Sequence, residues 1–313
     1  MGTRYDERDF FQKPLNFERA YYGLSLVSMH YSKIKSKITC IVMNFKCESK
    51  LIMQASPYLI TGGSRGIGQA LSWQLAAQGE HVIIVGRHPE TLEATCLRYP
   101  NNITSIVADI SQEEGRKKVF IALENILHLK GLIHNAATVQ PIMPLTHVSL
   151  EEWRKIQQLN VEAPLFLTQQ CLPQLKNSKV LFISSKVAHV AQPCLGPYCV
   201  SKAGVSMLYQ CFNIDFHSLG VYDSSVMPGI VKTDMFSEIA ANPLFPEENR
   251  RFYQSVIEKN EWIEPEVVAC FIEWLLCSVE NSVFASKEWD IYDESHHIDW
   301  VKSFPKPKSP GFA

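Results

Sequence analysis

The chain has 313 residues, 46% of them hydrophobic, with 30 Lys and Arg against 32 Asp and Glu for a net charge of −2. This apolar content excludes an intrinsically disordered chain, and the near-neutral balance excludes the overall basic field that draws in nucleic acid, so a small molecule is the expected partner. Nine scattered cysteines with no C-x-x-C pair fit neither a zinc site nor a disulfide framework, and are read as reduced thiols of a cytoplasmic protein.

Residues 1–52 differ in character from the rest of the chain. The run from Leu24 to Phe45 is apolar in places, but Lys33, Lys35 and Lys37 break it, so it falls short of the ~20 uncharged residues of a membrane span. Positive charge exceeds negative there, as in a targeting peptide, whereas Asp6, Glu7 and Asp9 argue against one. Met53 lies eight residues before Thr61, where a compact nucleotide-binding domain would begin. Translation is therefore expected to start at Met53 or Met43, with the preceding residues poorly ordered or not made. The expected organisation is an extension over 1–52, one domain over 53–304 and a mobile Pro- and Lys-rich tail over 305–313.

From Pro57 onward strand and helix signals alternate. Tyr58-Leu59-Ile60 reads as a buried strand, the glycines after it as a turn, and Gln69 to Gln78 as a helix bearing Ala70, Leu71, Trp73, Leu75 and Ala76. A strand over His81 to Val85, a helix after Pro89, a strand over Ile103 to Val107, a helix after Ser111 and a strand over Gly131 to Ile133 continue the rhythm. Near-continuous apolar strands separated by helices predict an α/β fold, a doubly wound parallel sheet covered on both faces.

Thr61-Gly62-Gly63-Ser64-Arg65-Gly66-Ile67-Gly68 falls between the first strand and the first helix. Glycines there permit a tight turn and let a pyrophosphate approach backbone amides at the positive end of the helix dipole; the competing reading is a purely structural turn. A carboxylate ending the second strand would bond the ribose 2′-hydroxyl of NAD, but the chain reads Val85-Gly86-Arg87-His88. Arg87, with Arg65 in the turn, can pair with a 2′-phosphate, so NADP(H) is the expected cofactor. The rival reading leaves both arginines merely solvated.

Tyr198 and Lys202 stand four residues apart and would share one helix face. A fixed cation beside a phenol favours the phenolate, which makes Tyr198 a candidate proton donor for carbonyl reduction near neutrality. Taken alone, the pair could equally be a surface contact. Its weight comes from the glycine turn and from Ser185 upstream.

Together, Thr61-Gly62-x-x-x-Gly66-Ile67-Gly68 and Tyr198-x-x-x-Lys202 resemble the short-chain dehydrogenase/reductase family, over a stretch from about Met53 to about Asp293. Other family elements recur in order: Asp109 after the third strand, resembling an adenine-side aspartate; Asn135-Ala136 after the fourth; Asn160, seven residues past Trp153; Ser185, thirteen before Tyr198; and Pro228-Gly229 followed by Thr233. The glycine spacing is that of the family's compact branch, not the G-x-x-G-x-x-G of its longer epimerases and dehydratases. Two departures stand out: His134-Asn135-Ala136-Ala137 replaces Asn-Asn-Ala-Gly, and Ser286-Lys287 stands where relatives often have a glycine.

The resemblance implies a single Rossmann-type domain with a sheet of about seven strands, and NADPH-dependent reduction of a ketone or diketone. It implies that Tyr198 delivers the proton, that Ser185 gives the carbonyl oxygen a second hydrogen bond, and that Lys202 lowers the Tyr198 pKa and binds the nicotinamide ribose. Asn160 would bend its helix and hold a water linking Lys202 to solvent. Gly62, Ser64, Arg65, Gly66, Ile67, Gly68, Arg87, Asp109, Asn135, Pro228, Gly229 and Thr233 would join Tyr198 and Lys202 around the cofactor. Plainer readings stay open: Ser185 as part of a serine-rich turn, Asn160 as a helix irregularity before Pro164, and Thr233 as a helix cap.

The segment after Thr233 is expected to build an apolar substrate wall from Met235, Phe236, Leu244, Phe245, Phe252 and Trp262, alongside His189, Gln192 and Pro193, some of them serving as core. The stretch from Pro228 to Met235 and the ending Trp289 to Asp293 are similar to sepiapterin-reductase-like and benzil-reductase-like members. His296-His297 with Asp293, Glu294 and Asp299 invites a metal reading, but adjacent loop residues seldom converge on one ion, and no metal is expected. The family's habit of pairing long helices implies a homodimer or homotetramer. A catalytically weak NADP-binding regulatory protein and a dimerisation module are the alternatives from other classes.

Overall fold

In the computed structural model, which describes residues 56–301 and 306–310, seven parallel strands form one sheet in the order β3-β2-β1-β4-β5-β6-β7. The expectations for the extension lie outside the described residues. Strands β1 (Tyr58–Thr61), β2 (Val82–Gly86), β3 (Ile103–Val107) and β4 (Gly131–His134) alternate with α1 (Gly66–Ala77), α2 (Pro89–Leu97) and α3 (Glu113–Ala122). Next come α4 (Leu150–Gln157), α5 (Ala163–Cys171), β5 (Ser178–Ile183), α6 (Gly196–Phe216) and β6 (Val221–Met227). The chain continues through α7 (Asp234–Ala240), α8 (Glu247–Glu258), α9 (Pro265–Cys277), α10 (Asn281–Phe284), β7 (Glu288–Asp290) and α11 (His297–Trp300). No helix among the described residues is long and apolar enough to cross a membrane.

The doubly wound arrangement follows from the strands' composition. Every residue of β1, β4 and β5 is buried, because helices cover both faces. On one face Ile60, Ile84 and Val226 pack with Leu71 and Leu75 of α1 and Phe271 and Leu275 of α9; on the other, Leu59, Leu132 and Phe182 pack with Leu167 of α5 and Phe212 of α6. Each such side chain, fully buried, stabilises the fold by about 1.5–3 kcal/mol. Helix α1 begins three residues earlier than the apolar pattern alone predicts, since the glycine turn itself supplies its first turn.

Polar residues in this core have specific duties. Lys179 of β5 donates to the carbonyls of Leu275 at 2.9 Å and Leu276 at 3.0 Å and to that of Val279, capping the C-terminus of α9 from beneath. The two histidines considered for metal binding are packing residues. His296 bonds through Nε2 to Asp290 O at 3.0 Å, accepts from Trp300 Nε1 at 2.9 Å and stacks on Phe271, while His297 Nε2 bonds to Ile291 O at 2.7 Å. Of the tail, residues 306–310 are described: Pro307 is buried, and Ser309 borders the main cleft.

Asp223 of β6 is fully buried and neither carboxylate oxygen has a partner among the described residues. Burial pushes its pKa up to about 8 from an ordinary 3.8, so between those values the unfolded chain ionises while the folded chain keeps the proton. The stability this group contributes is full below pH ~4 and is lost as pH approaches ~8. In thermal unfolding across that window, Asp223→Asn should show a smaller fall in Tm than the wild type; parallel curves would contradict the buried, protonated assignment.

Candidate active site

Strand order reverses between β1 and β4, and the loops leaving their C-terminal ends diverge there to leave a crevice. A cleft of about 880 Å³ occupies it. Of the residues expected to serve catalysis or hold the cofactor, all border this cleft except Gly68 and Asn160, which support it from behind.

The turn after β1 is shaped by close approach. Gly62 has φ +67°, and a Cβ on it would come within 2.9 Å of Ala136 Cα; a Cβ on Gly68 would run into the Gly62 carbonyl and Asn135 Nδ2. Arg65 is the N-cap of α1 with no side-chain cap, and the first turn carries no acidic residue. By contrast α4 closes its own start with a capping box, Glu152 N donating to Ser149 Oγ at 3.2 Å and Ser149 N to Glu152 Oε2 at 3.0 Å. The first amides of α1 thus remain available at the positive end of the helix, which suits a pyrophosphate.

Asn135 fixes this turn to β4, donating from Nδ2 to Thr61 O at 3.1 Å and Gly62 O at 3.0 Å. Asp109, just past β3, accepts at Oδ1 from Ser111 N at 3.1 Å and Ser111 Oγ at 2.7 Å, which orients its carboxylate at the cleft. Arg65 contacts Asp234 at 3.3 Å, but the side chains are 60% and 75% exposed, so this pair contributes at most about 1 kcal/mol and leaves the guanidinium available. Arg87 is exposed at the end of β2. Past β6, Tyr292 OH accepts from Ile230 N at 3.0 Å and holds the Pro228-Gly229 turn. Thr233 does cap α7, accepting from Phe236 N at 3.4 Å, and it borders the cleft as well.

Asn160 sits in a π-helical turn, Gln158–Glu162, joining α4 to α5 ahead of Pro164. It accepts from Thr138 N at 2.9 Å and donates to Thr138 O and Ser201 Oγ, each at 2.9 Å; Ser201 Oγ donates to Tyr198 O at 2.8 Å. One buried amide thus ties the loop after β4 to the first turns of α6.

Helix α6 carries Tyr198 and Lys202, 6% and 4% exposed, into the cleft wall. Lys202 Nζ lies 5.7 Å from the centre of the Tyr198 ring and donates to Ile183 O at 2.6 Å. Burial lowers the Lys202 pKa to about 8 and holds the Tyr198 phenol above its ordinary value, while a hydrogen bond with Ser185 pulls the phenol the other way. The expected lowering of Tyr198 by Lys202 is therefore not what the structure shows. Desolvation outweighs a cation that is itself desolvated and turned onto a β5 carbonyl. Ser185 also accepts from Val187 N at 3.4 Å, so it serves the turn while bordering the cleft. The Tyr198 hydroxyl donates weakly to Met235 Sδ at 3.7 Å.

The substrate wall needs correcting. Of the residues expected there, Met235 and Phe236 border the cleft, whereas Phe245, Phe252 and Trp262 pack behind them. Leu244 is exposed, His189 pairs with Glu288 at 2.6 Å, and Gln192 accepts from Asn249 at 3.4 Å. Val187, Leu195, Ile239 and Tyr253 complete the wall, with Gln140 donating to Glu238 at 3.1 Å on its rim. Nothing in the local sequence marks these out, because three separate elements contribute them.

Comparison with known proteins gives the family. The model of the short chain dehydrogenase family matches residues 57–244, more than half of the chain, and the chain belongs to that family of oxidoreductases. An NADPH-dependent 3-dehydrocapnine reductase from Ornithobacterium rhinotracheale is 31% identical over 189 residues, 58% of this chain and 67% of the relative. An NADP-dependent (R)-specific alcohol dehydrogenase from Lentilactobacillus kefiri is 28% identical over 190 residues, 58% of this chain and 75% of that protein. A short chain dehydrogenase/reductase structure from Saccharomyces cerevisiae has a TM-score of 0.72 at 24% identity, covering 79% of this chain and 99% of that one. One from Burkholderia cenocepacia, in complex with NADP, has a TM-score of 0.64 at 22% identity, covering 75% and 95%. At these identities the structures show the shared fold.

Removing the Asn160 amide strands Thr138 N–H and C=O in a part-buried place. Asn160→Ala should cost about 1–3 kcal/mol in urea unfolding, and an unchanged midpoint would contradict the bridging role.

Proposed function

We propose that this protein is an NADPH-dependent carbonyl reductase acting on a ketone or diketone with an apolar body. The observation that carries this reading is a single cleft with two unlike ends: the uncapped, glycine-lined start of α1 at one, and the Ser185 and Tyr198 side chains among apolar neighbours at the other. The first suits a dinucleotide and the second a carbonyl oxygen.

The uncapped amides at the start of α1 would take the pyrophosphate, with Gly62, Ser64 and Arg65 shaping the turn before them, Ile67 closing it and Asp109 on the adenine side. Arg65 and Arg87 would take a 2′-phosphate, and no carboxylate ends β2 to favour NAD. Asn135, Lys202, Pro228, Gly229 and Thr233 would surround the nicotinamide end, where the Thr233 hydroxyl can serve both as helix cap and as cofactor contact. When bound, the nicotinamide supplies the hydride.

Tyr198 gives its proton to the oxygen as negative charge develops there, and Ser185 donates a second hydrogen bond to the same atom. Burial keeps the phenol protonated across the physiological range, the state a donor needs. With a pKa of about 8, Lys202 is mostly charged at neutrality and offsets the phenolate left behind. Asn160 positions α6 beneath both groups, and a water on its carbonyl oxygen would return a proton toward Lys202. Ser185, Tyr198 and Lys202 meeting in one cleft favour turnover over a purely regulatory role.

Two outcomes test this. Tyr198→Phe should lower kcat by about 10²–10⁴ with carbonyl substrates while the Kd for NADPH stays within about twofold; a variant keeping most of its activity contradicts the donor assignment. Arg87→Asp should weaken NADPH by about tenfold or more without weakening NADH in fluorescence titrations. Equal wild-type affinity for the two cofactors would contradict the arginine reading.

A further inference from the structure

Tyr253, on α8, is 5% exposed and borders the substrate end of the cleft. Its ring is clamped edge-on by Phe236, Phe245 and Phe252, with centroids 5.7, 5.7 and 5.4 Å away. Those neighbours show that a phenylalanine would satisfy the packing, so the hydroxyl needs a separate explanation. Among the described residues no group hydrogen-bonds to it; burial and the nearby Cys199 sulfur are what act on its pKa. It shares one buried cluster and one cleft wall with Tyr198. Around it Val187, Leu195, Phe236 and Ile239 are apolar and Met235 offers a thioether, while Glu238 on the rim already accepts from Gln140. The hydroxyl is not among the side-chain atoms sealed from solvent without a partner, so it opens onto the cleft, where an acceptor that enters with a ligand can pair with it.

We infer that Tyr253 is a second hydrogen-bond donor of the substrate pocket, and that the preferred substrate carries a second oxygen next to its reacting carbonyl, as in a vicinal diketone or an α-hydroxy ketone. The inference rests on the carbonyl-reductase reading above and narrows its substrate class. In the reaction, the carbonyl carbon accepts a hydride, the C=O π bond opens, the oxygen takes the Tyr198 proton, and NADPH is oxidised to NADP⁺. The second oxygen keeps its bonds and only accepts from Tyr253.

The test compares acetylbenzoyl with propiophenone, which has two hydrogens in place of the second oxygen. A diketone is intrinsically more electrophilic, so the diagnostic is the change in the kcat/KM ratio between wild type and Tyr253→Phe. The ratio should fall about tenfold in the variant, mainly through a higher KM for acetylbenzoyl, with a smaller change on propiophenone. In the wild type alone, α-hydroxypropiophenone should show a KM about tenfold below that of propiophenone, which requires no variant to fold. An unchanged ratio, or equal losses on both substrates, with wild-type turnover intact, overturns the Tyr253 assignment and leaves the reductase reading standing. Wild-type protein that binds NADPH yet reduces none of these carbonyls overturns the reductase reading and this inference with it.

Discussion

Asn135 holds the end of β4 to the end of β1, and the cleft depends on that connection. Its amide reaches the carbonyls of Thr61 and Gly62, while its own backbone N–H and that of Ala136 each donate to Thr61 Oγ1 at 3.1 Å. Strands running to neighbours on opposite sides would otherwise leave the glycine turn unsupported at the point where it must stay open. The same amide sets how near α1 can come, since any side chain at position 68 would strike it. The uncapped helix start, the divergence of the loops and the position of the turn relative to α6 all follow from a junction that only small residues and one amide can form.

At the other end of the cleft, burial governs the chemistry. Tyr198 and Lys202 are both removed from water, and for each the charged form is the one penalised. The phenol therefore stays a donor, and the lysine is poised closer to neutrality than a surface lysine. Ser185 is the one neighbour that eases ionisation of the phenol. Around them the wall is apolar, which strengthens any hydrogen bond made to an incoming oxygen.

Much of this was legible in the chain itself. The buried strands announce themselves as short runs of Ile, Leu and Val, and the glycine turn by its place between a strand and a helix. The Tyr198 and Lys202 pair was legible because four residues are one helical turn. Three things were not. The sign of the Tyr198 shift depends on how deeply α6 is buried, which is a property of tertiary packing. The substrate wall mixes residues from the loop before α6 with others from α7 and α8, so a contiguous aromatic run overstated Phe245, Phe252 and Trp262 and passed over Tyr253. The buried Lys179 and Asp223 break the apolar pattern of strands β5 and β6. Only the carbonyls at the end of α9 explain the first. Nothing among the described residues pairs the second.

The central claim is that the start of α1 and the Tyr198 hydroxyl serve the two ends of one bound dinucleotide. A crystal structure of the protein with NADP⁺ addresses it most directly. The account predicts the pyrophosphate on the amides of the Gly62 to Gly68 turn, the 2′-phosphate between Arg65 and Arg87, and the nicotinamide beside Tyr198. A dinucleotide bound with its nicotinamide away from Tyr198, or its phosphates away from that turn, would contradict it.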